Sequence, residues 1–256
     1  ILITGGAGFI GSCLIKYFVN LKLKEKIISI DNYSSGYVKN HINNKNEIYI
    51  KGDNKDIDVL LKKYKKKIKV IFHFGEFSRI FQSFKHYKKC FEYNVHHSSK
   101  VIEFAKNYNI KLIYSATSSN LGNNGADENL SPYAWSKSKN IELIKNYHKW
   151  FGLKYEFVYF YNVYGPGQIL KSHMSAVIGI FEQQYKKNKP LTIVKPGTQR
   201  RDFTHIDDIV RGCYLAWKKG NQNHYMLGTK KTYSIIDIAK TFNTRIKYLR
   251  SRPGER

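Results

Sequence analysis

Short apolar runs alternate with longer amphipathic segments through the first half of the chain. Uninterrupted apolar runs of a few residues predict buried strands, and apolar residues at intervals of three and four predict helices. Strands and helices in alternation predict a parallel sheet that helices cover on both faces. The predicted strands cover residues 1–4, 27–30, 48–50, 70–74, 112–115 and 155–159, and the predicted helices cover residues 9–20, 55–64, 87–108 and 132–151.

The pattern becomes less regular after the turn residues Gly165, Pro166 and Gly167. Helices are predicted there over residues 176–187, 206–219 and 234–242, with short strands near residues 191 and 225. We therefore predict an α/β fold with a Rossmann-type doubly wound domain over residues 1–165 and a smaller, substrate-binding lobe over residues 166–256. The lobe should cover the carboxyl edge of the sheet, where doubly wound folds bind ligands. The boundary is soft, because such lobes often exchange segments with the main domain.

The composition is that of a globular protein with a large excess of positive charge. The 256 residues are 42% hydrophobic, which argues against disorder. There are 44 Lys and Arg residues against 19 Asp and Glu, but most are lysines spread along the whole chain. This distribution favours an anionic small substrate and disfavours a nucleic acid partner.

Other features exclude further classes of protein. No apolar run approaches the ~20 residues that a membrane-spanning helix needs, and the chain opens without a secretory leader. The three cysteines, Cys13, Cys90 and Cys213, are far apart and form no CxxC motif. We therefore expect no membrane anchor, disulfide framework or metal site, and a cytoplasmic location. Because Ile1 already lies in a predicted strand, we expect a few residues to precede it.

A glycine-rich loop joins the first predicted strand to the first predicted helix. Its sequence is GGAGFIG over residues 5–11, with Gly5, Gly8 and Gly11 at the spacing of a dinucleotide-binding loop. Glycines let the backbone turn tightly and approach a pyrophosphate, which the N-terminus of the following helix then binds. We predict a dinucleotide site here, with Phe9 and Ile10 among its contacts; a glycine turn that only packs is the alternative.

Acidic residues follow the second and third predicted strands. Asp31 ends the second strand, 20 residues after Gly11, with Asn32 beside it. A carboxylate there accepts hydrogen bonds from ribose hydroxyls and repels a 2′-phosphate, which favours NAD over NADP. Asp53 is placed to reach the adenine side of the cofactor, and its alternative role is to cap a helix N-terminus.

Tyr133 and Lys137 are four residues apart at the start of a predicted helix, so they share one face. A phenol with a pKa of ~10 acts as a base near neutral pH only when a positive charge favours its ionised form. We predict that the ammonium of Lys137 and a nicotinamide supply that charge to Tyr133. Thr117, in a cluster of hydroxyl residues that ends the fifth strand, is placed to bind the same substrate oxygen. Its alternative role is to cap the strand end.

Together these motifs resemble the extended short-chain dehydrogenase/reductase family of nucleotide-sugar epimerases and dehydratases. The resemblance covers essentially the whole chain. It rests on the glycine loop, Asp31-Asn32, Gly52-Asp53, Thr117, Tyr133 with Lys137, and the segments NVYGPG (162–167), RDF (201–203) and RPGE (252–255), which occur in this order.

The resemblance implies NAD as the cofactor, a nucleotide-linked sugar (a UDP-sugar first) as the substrate, and a homodimer. The dimer would form through the two long helices that end near Tyr108 and Phe151. The resemblance further implies that Thr117 and Tyr133 act on the substrate and that Lys137 binds the nicotinamide ribose. The other implied contacts are Phe74, Tyr133 and Phe160 to the cofactor, and Asn162, Arg201 and Arg252 to the substrate's diphosphate.

Some positions depart from the family's usual sequence. Members often have HLAA or similar after the fourth strand, where this chain has HFGEFSR over residues 73–79. Glu76 and Arg79 are therefore expected beside the nicotinamide and the sugar, where they either contact the substrate or pair with each other. Members also continue beyond RPGE, so we expect the chain to extend past Arg256.

One further departure indicates the reaction. In the family's 4,6-dehydratases an Asp-Glu pair follows the catalytic Thr, and Ser118 and Ser119 occupy those positions here. Hydroxyl groups cannot perform that acid–base chemistry near neutral pH. The resemblance therefore favours epimerisation at the sugar C4 through a 4-keto intermediate. A dehydratase or decarboxylase of the same family, or a non-catalytic NAD-binding protein, is the alternative.

Overall fold

One large parallel sheet organises the chain. The computed structural model describes residues 1–170 and 174–253, with the side chains of residues 122–124 left out. The strands are β1 (Leu2–Thr4), β2 (Ile27–Asp31), β3 (Glu47–Lys51), β4 (Val70–His73), β5 (Lys111–Thr117), β6 (Tyr155–Phe160), β7 (Asn162–Tyr164), β8 (Leu191–Val194), β9 (Arg200–His205), β10 (His224–Leu227), β11 (Thr232–Ser234) and β12 (Ile246–Leu249). The α-helices are α1 (Phe9–Asn20), α2 (Ile57–Leu60), α3 (Ile80–Lys85), α4 (Tyr87–Phe91), α5 (Ser98–Asn107), α6 (Pro132–Phe151), α7 (Val177–Lys186), α8 (Ile206–Lys219) and α9 (Ile235–Lys240).

The central sheet has seven strands in the order β3-β2-β1-β4-β5-β6-β10. Every neighbouring pair is parallel, so all seven carboxyl ends lie on one edge. The strand order reverses between β1 and β4, and such a switch point opens a crevice that binds ligands. Thr4, at the end of β1, lies opposite Ile30 and His73, so the glycine loop emerges at this crevice.

Helices cover both faces of the sheet, as the sequence predicts. Successive strand residues point to opposite faces, so Leu2 belongs to the core beneath α5 and α6, and its neighbour Ile3 belongs to the core beneath α1 and α8. The buried side chains Phe104 and Ile144 fill the first core. Phe18 of α1 lies in the second core.

The chain beyond residue 165 contributes to both the large sheet and a smaller lobe. Helix α8 packs on the second core, and β10 pairs with the outer edge of β6. The buried carboxylate of Glu156 holds the entry to β10, because it accepts the amides of Gln222 and Asn223 at 3.1 and 3.0 Å. The smaller lobe contains the β11-β9-β7 sheet and the β12-β8 pair, around the buried residue Phe181. The segment 206–227 thus crosses the soft boundary near residue 165.

Two predicted helices are shorter or less regular than the pattern indicates. The helix predicted over residues 55–64 is α-helical only over Ile57–Leu60, between 3₁₀ turns. The helix predicted over residues 87–108 is interrupted by a π-helical segment, Glu92–His97. The extra residue per turn accompanies an inward-facing Asn94, whose amide bonds both the N–H and the C=O of Phe77 at 2.6 and 3.0 Å.

Three further features of the described residues concern membranes, metal ions and cysteines. Over residues 1–170 and 174–253, no helix combines the length and the apolarity that crossing a bilayer requires. The same residues contain no group of three or more His, Cys, Asp or Glu side chains placed to hold a metal ion. Cys13, Cys90 and Cys213 all lie in the described part and are free thiols.

Replacing Phe18 with alanine should strongly destabilise the fold. Its ring is fully buried and lies 5.5 Å from Phe72 and 5.9 Å from Trp217 of α8, measured between centroids. Loss of a buried phenylalanine leaves a cavity and lowers the free energy of unfolding by about 3–5 kcal/mol, which urea denaturation would measure. Val59→Ala, at a position that is 77% exposed, is the control and should change little. An equal loss in the two variants would contradict this account of the core.

Candidate functional site

A cleft of about 500 Å³ runs along the carboxyl edge of the sheet. It extends from the glycine loop at the switch point to the smaller lobe. All of the predicted site residues line it: Gly5, Gly8, Phe9, Ile10, Gly11, Asp31, Asn32, Asp53, Phe74, Glu76, Arg79, Thr117, Tyr133, Lys137, Phe160, Asn162, Arg201 and Arg252. The structure thus gathers residues from across the chain into one cleft, while the role of each residue stays a prediction. Gly254 and Glu255 of the RPGE segment lie outside the described residues.

The glycine loop has room for backbone but not for side chains. A Cβ at Gly11 would lie 2.3 Å from the carbonyl oxygen of Gly5, and a Cβ at Gly5 would lie 2.8 Å from the amide nitrogen of Gly75. Gly5 also has a φ of +72°, which disfavours any other residue. Within the described residues, no side chain caps the N-terminus of α1. No capping side chain therefore occupies the amides of its first turn. The glycine loop and these amides form a cradle that fits the pyrophosphate of NAD.

Asp31 and Asp53 line the cleft together with this loop. The Asp31 carboxylate accepts the amides of Ala7 and Tyr33 at 3.0 and 2.8 Å. Burial raises the pKa of Asp31, and these two hydrogen bonds oppose the rise. Asn32 donates to Asp53 at 2.6 Å. Asp53 precedes a 3₁₀ turn, but its side chain binds Asn32 and makes no capping bond within the described residues, so its alternative role as a cap is not the one observed.

Tyr133 lies in the first turn of α6, beside the end of β5. The hydroxyl of Ser131 accepts the amide of Ala134 at 3.0 Å and caps the helix. The hydroxyl of Thr117 lies close enough to Tyr133 for hydrogen bonding to lower the pKa of the phenol. Thr117 also accepts the amide of Ser119 at 3.2 Å, so it fulfils its capping role and faces the phenol at the same time.

The sequence predicts no ion-pair partner for Lys137, and the structure supplies one. Its ammonium forms an ion pair with the carboxylate of Glu76, and the two side chains are 4% and 3% exposed. The same ammonium lies 3.4 Å from the hydroxyl of Ser115 and 4.2 Å from the ring centroid of Tyr114. Arg79 instead donates to the carbonyl oxygens of Met174 and Ser78 at 2.6 and 2.9 Å. The alternative that Glu76 and Arg79 pair with each other is therefore wrong.

This pairing changes the electrostatics of the phenol. Burial raises the pKa of Tyr133 to about 12, and the hydrogen bond with Thr117 opposes the rise. Of the charged groups around it, Glu76 raises the pKa most and Arg79 lowers it most. The ammonium of Lys137 is paired with a carboxylate, and the supply of the acidifying charge by Lys137 together with a nicotinamide stays a prediction.

The residues that hold Glu76 are not predicted from the sequence. Its Oε1 accepts hydrogen bonds from Tyr114 at 2.9 Å, Ser98 at 3.0 Å and Asn140 at 3.1 Å. Ser98 and Asn140 are buried polar residues on helices α5 and α6. A polar residue on an otherwise apolar helix face is the signal that could have found them.

The cleft is also lined by the positions predicted to bind a diphosphate. Asn162 donates to the carbonyl oxygen of Asp202 at 3.1 Å. Arg201 donates to the carbonyl oxygen of Arg200 at 2.8 Å. The Arg252 guanidinium lies 4.8 Å from the ring centroid of Phe81. Two guanidinium groups in the lining of one cleft suit a doubly charged ligand.

Comparison with known proteins identifies the family. Residues 1–228 match the model of the NAD dependent epimerase/dehydratase family. A putative UDP-glucose 4-epimerase of Methanocaldococcus jannaschii is 32% identical over 100% of this chain and 87% of its own length. A dTDP-D-glucose 4,6-dehydratase of Dictyostelium discoideum is also 32% identical, over 94% of this chain, which spans only 60% of that enzyme.

Among solved structures, the UDP-glucose 4-epimerase of Thermotoga maritima, solved with UDP-glucose, superposes with a TM-score of 0.90. It is 25% identical, and the match covers 99% of this chain and 86% of that one. The predicted Rossmann-type fold, the resemblance to the extended short-chain dehydrogenase/reductase family and the NAD cofactor are confirmed. The chain belongs to the NAD dependent epimerase/dehydratase family.

Proposed function

We propose that this protein epimerises a nucleotide-linked sugar, a UDP-sugar first, at C4 through a 4-keto intermediate. One observation carries the proposal: a single cleft is lined by the dinucleotide cradle, by Thr117 with Tyr133, and by the two arginines Arg201 and Arg252. That arrangement suits a sugar whose diphosphate is held away from its reacting carbon. NAD, when bound, supplies a reversible acceptor for a hydride.

The chain's own residues would hold both ligands. The cofactor would contact the glycine loop residues Gly5, Gly8, Phe9, Ile10 and Gly11. Asp31 would accept the adenosine ribose hydroxyls, and its negative charge disfavours a 2′-phosphate. The remaining cofactor contacts proposed are Asn32, Asp53, Phe74, Lys137 and Phe160, all of which line the cleft.

Tyr133 would take the proton from the sugar 4-hydroxyl and later return it. Thr117, whose hydroxyl lies near the phenol, would hold the substrate oxygen in line with it. Holding the reacting groups in contact supplies much of the rate acceleration in such reactions. Asn162, Arg201 and Arg252 would anchor the diphosphate while the keto sugar turns over and presents its opposite face.

The relatives include dehydratases and epimerases at equal identity, so the choice between the two reactions depends on the site. Ser118 and Ser119 line the cleft where the dehydratases carry an acid pair. Glu76 is a carboxylate in the same cleft, but Lys137 and three neutral donors already engage it. A carboxylate held this firmly is poorly suited to moving protons on a sugar, which supports the epimerase.

We also propose a homodimer. Tyr87 and Phe91 of α4 and Trp135 of α6 are 50%, 37% and 38% exposed. The rings of Phe91 and Trp135 pack edge-to-face at 5.5 Å, so they form a shared apolar patch. Exposed apolar patches of this kind mark contacts between proteins, and α6 is one of the two helices expected to form the dimer.

Tyr133→Phe should abolish most of the epimerase activity. Loss of the acid–base group is expected to lower kcat by a factor of about 100 to 10,000, while calorimetric titration shows NAD binding intact. NMR would follow turnover with UDP-glucose, UDP-N-acetylglucosamine and UDP-glucuronate. Tyr233→Phe, on a phenol that is 45% exposed, is the matched control. Normal turnover by Tyr133→Phe would refute the base, and accumulation of NADH or an unsaturated sugar would favour a different reaction.

Gly11→Ala should weaken NAD binding by about tenfold or more, a loss of at least about 1.4 kcal/mol of binding free energy. The added methyl group would lie 2.3 Å from the Gly5 carbonyl oxygen, so the loop must move. Calorimetry with NAD alone would measure the change. Lys16→Ala, on the exposed face of the same helix, should bind NAD normally. Unchanged affinity in Gly11→Ala would place the cofactor elsewhere.

Trp135→Glu should convert the dimer into a monomer, because it places a charge in the proposed apolar interface. Analytical ultracentrifugation of the wild type and the variant would measure this. Trp150→Glu, at a position that is 58% exposed near the end of α6, tests whether the interface extends that far. A monomeric wild type would contradict the proposal.

A further inference from the structure

We propose that Asn40 is a positioning residue for the cofactor, because it holds the carbonyl oxygen of Ala7 away from the cleft and so keeps that oxygen from facing the pyrophosphate. Asn40 belongs to the loop between β2 and β3, and we call residues 32–41 of this loop the strap. The inference rests on the proposed function, since it concerns the cofactor contacts proposed there, but it does not depend on the reaction of the sugar.

Two donors of the strap hold the carbonyl oxygen of Ala7. The amide of Tyr37 lies 3.0 Å from this oxygen, and Nδ2 of Asn40 lies 2.8 Å from it. A carbonyl oxygen has two lone pairs, so both are used. The amide of Ala7 in turn donates to Oδ2 of Asp31 at 3.0 Å. The peptide groups on both sides of Ala7 are therefore fixed by residues outside the glycine loop.

The orientation of this carbonyl group matters to an anionic ligand. Ala7 is fully buried, and neither Ala7 nor its two donors line the cleft, although Gly5 and Gly8 do. The Ala7 oxygen is therefore turned away from the ligand. Loops that bind phosphate groups present N–H groups to them. A carbonyl oxygen that turned towards the pyrophosphate would repel it, because both carry negative charge.

Gly36 lets the strap lie directly against the glycine loop. A Cβ at Gly36 would lie 2.8 Å from the carbonyl carbon of Ala7 and 3.0 Å from its oxygen. Because these contacts are with backbone atoms, a side chain at this position would push the strap away from the loop. Both hydrogen bonds to the Ala7 oxygen would then lengthen.

Three aromatic rings fix the ends of the strap. The hydroxyl of Tyr33 lies 3.0 Å from Nε2 of His41, and the His41 ring stacks on Tyr49 of β3 with 3.8 Å between centroids and 9° between planes. The hydroxyl of Tyr49 accepts the amide of Ile42 at 2.9 Å, and Oδ1 of Asp31 accepts the amide of Tyr33 at 2.8 Å. The strap is therefore held in place by the protein itself, which spares the ligand the cost of ordering it.

Asn40→Asp tests the proposal with little change in the size of the side chain. It replaces the N–H donor with a carboxylate oxygen, which repels the Ala7 oxygen. NAD binding should therefore weaken by about tenfold or more, as measured by calorimetry. Asn40→Ala removes the donor without adding repulsion and should weaken binding by about threefold. Asn43→Asp makes the same chemical change at an exposed position near the strap and should bind NAD normally.

A series of ligands separates the positioning of the cradle from a general loss of structure. NAD and ADP both contain a diphosphate, so Asn40→Asp should weaken the binding of both by a similar factor. Adenosine has no phosphate group and should bind to the wild type and to Asn40→Asp with the same affinity. Titrations followed by NMR would measure this weaker binding. Thermal unfolding would show that each variant is folded.

Unchanged affinity for NAD in folded Asn40→Asp would overturn the proposal, and so would equal losses for NAD and adenosine. If Asn40→Asp does not fold, Asn40→Ala with the same three ligands decides. Gly36→Ala should weaken the binding of NAD and ADP as well, and normal binding by this variant would contradict the role of the strap. These measurements use no sugar. A protein that turns over no nucleotide-sugar but shows these losses would refute the proposed reaction and leave the role of Asn40 standing.

Discussion

Two opposite charges, on Glu76 and Lys137, lie at the carboxyl edge of the sheet with almost no contact with solvent. Removing either partner of such a pair typically costs about 3–5 kcal/mol, because the other charge stays buried. The surrounding elements therefore have to converge on one point. Tyr114, Ser98 and Asn140 come from a strand and two different helices, and all three donate to the same oxygen.

A line of hydrogen bonds connects this pair to the cofactor loop. The hydroxyl oxygen of Thr4, next to Gly5, accepts hydrogen bonds from the amides of Phe74 and Gly75 at 3.2 and 3.1 Å. Because both acceptor positions of this oxygen are then used, the hydroxyl donates its proton to Nδ1 of His73, at 2.6 Å. The proton of His73 then lies on Nε2, which faces Ser98 at 2.9 Å, and Ser98 donates to Glu76. The cradle for the pyrophosphate and the ion pair beside Tyr133 thus share one rigid frame.

The sequence predicts this fold well because its signals are local. Each buried strand is an apolar run, and each motif follows a strand end, so parallel strands bring the motifs to one edge without further information. The placement of Thr117 and Tyr133 follows from this rule. This rule does not predict the partner of Lys137, since Glu76 is 61 residues away in the sequence and side-chain packing brings the two together. The short helix α3 and the π-helical segment are also not predicted, because they contain too few residues to show a hydrophobic period.

The return of β10 to the edge of β6 has a consequence for how this chain can be rearranged. The two parts of the fold are not consecutive stretches of sequence. A gene fusion that joins the first 165 residues to the remainder of a relative would also replace α8, whose side chains complete the core around Phe18. Recombination that preserves this core has to exchange the two segments of the smaller lobe, one before and one after residues 206–227, and leave residues 206–227 in place.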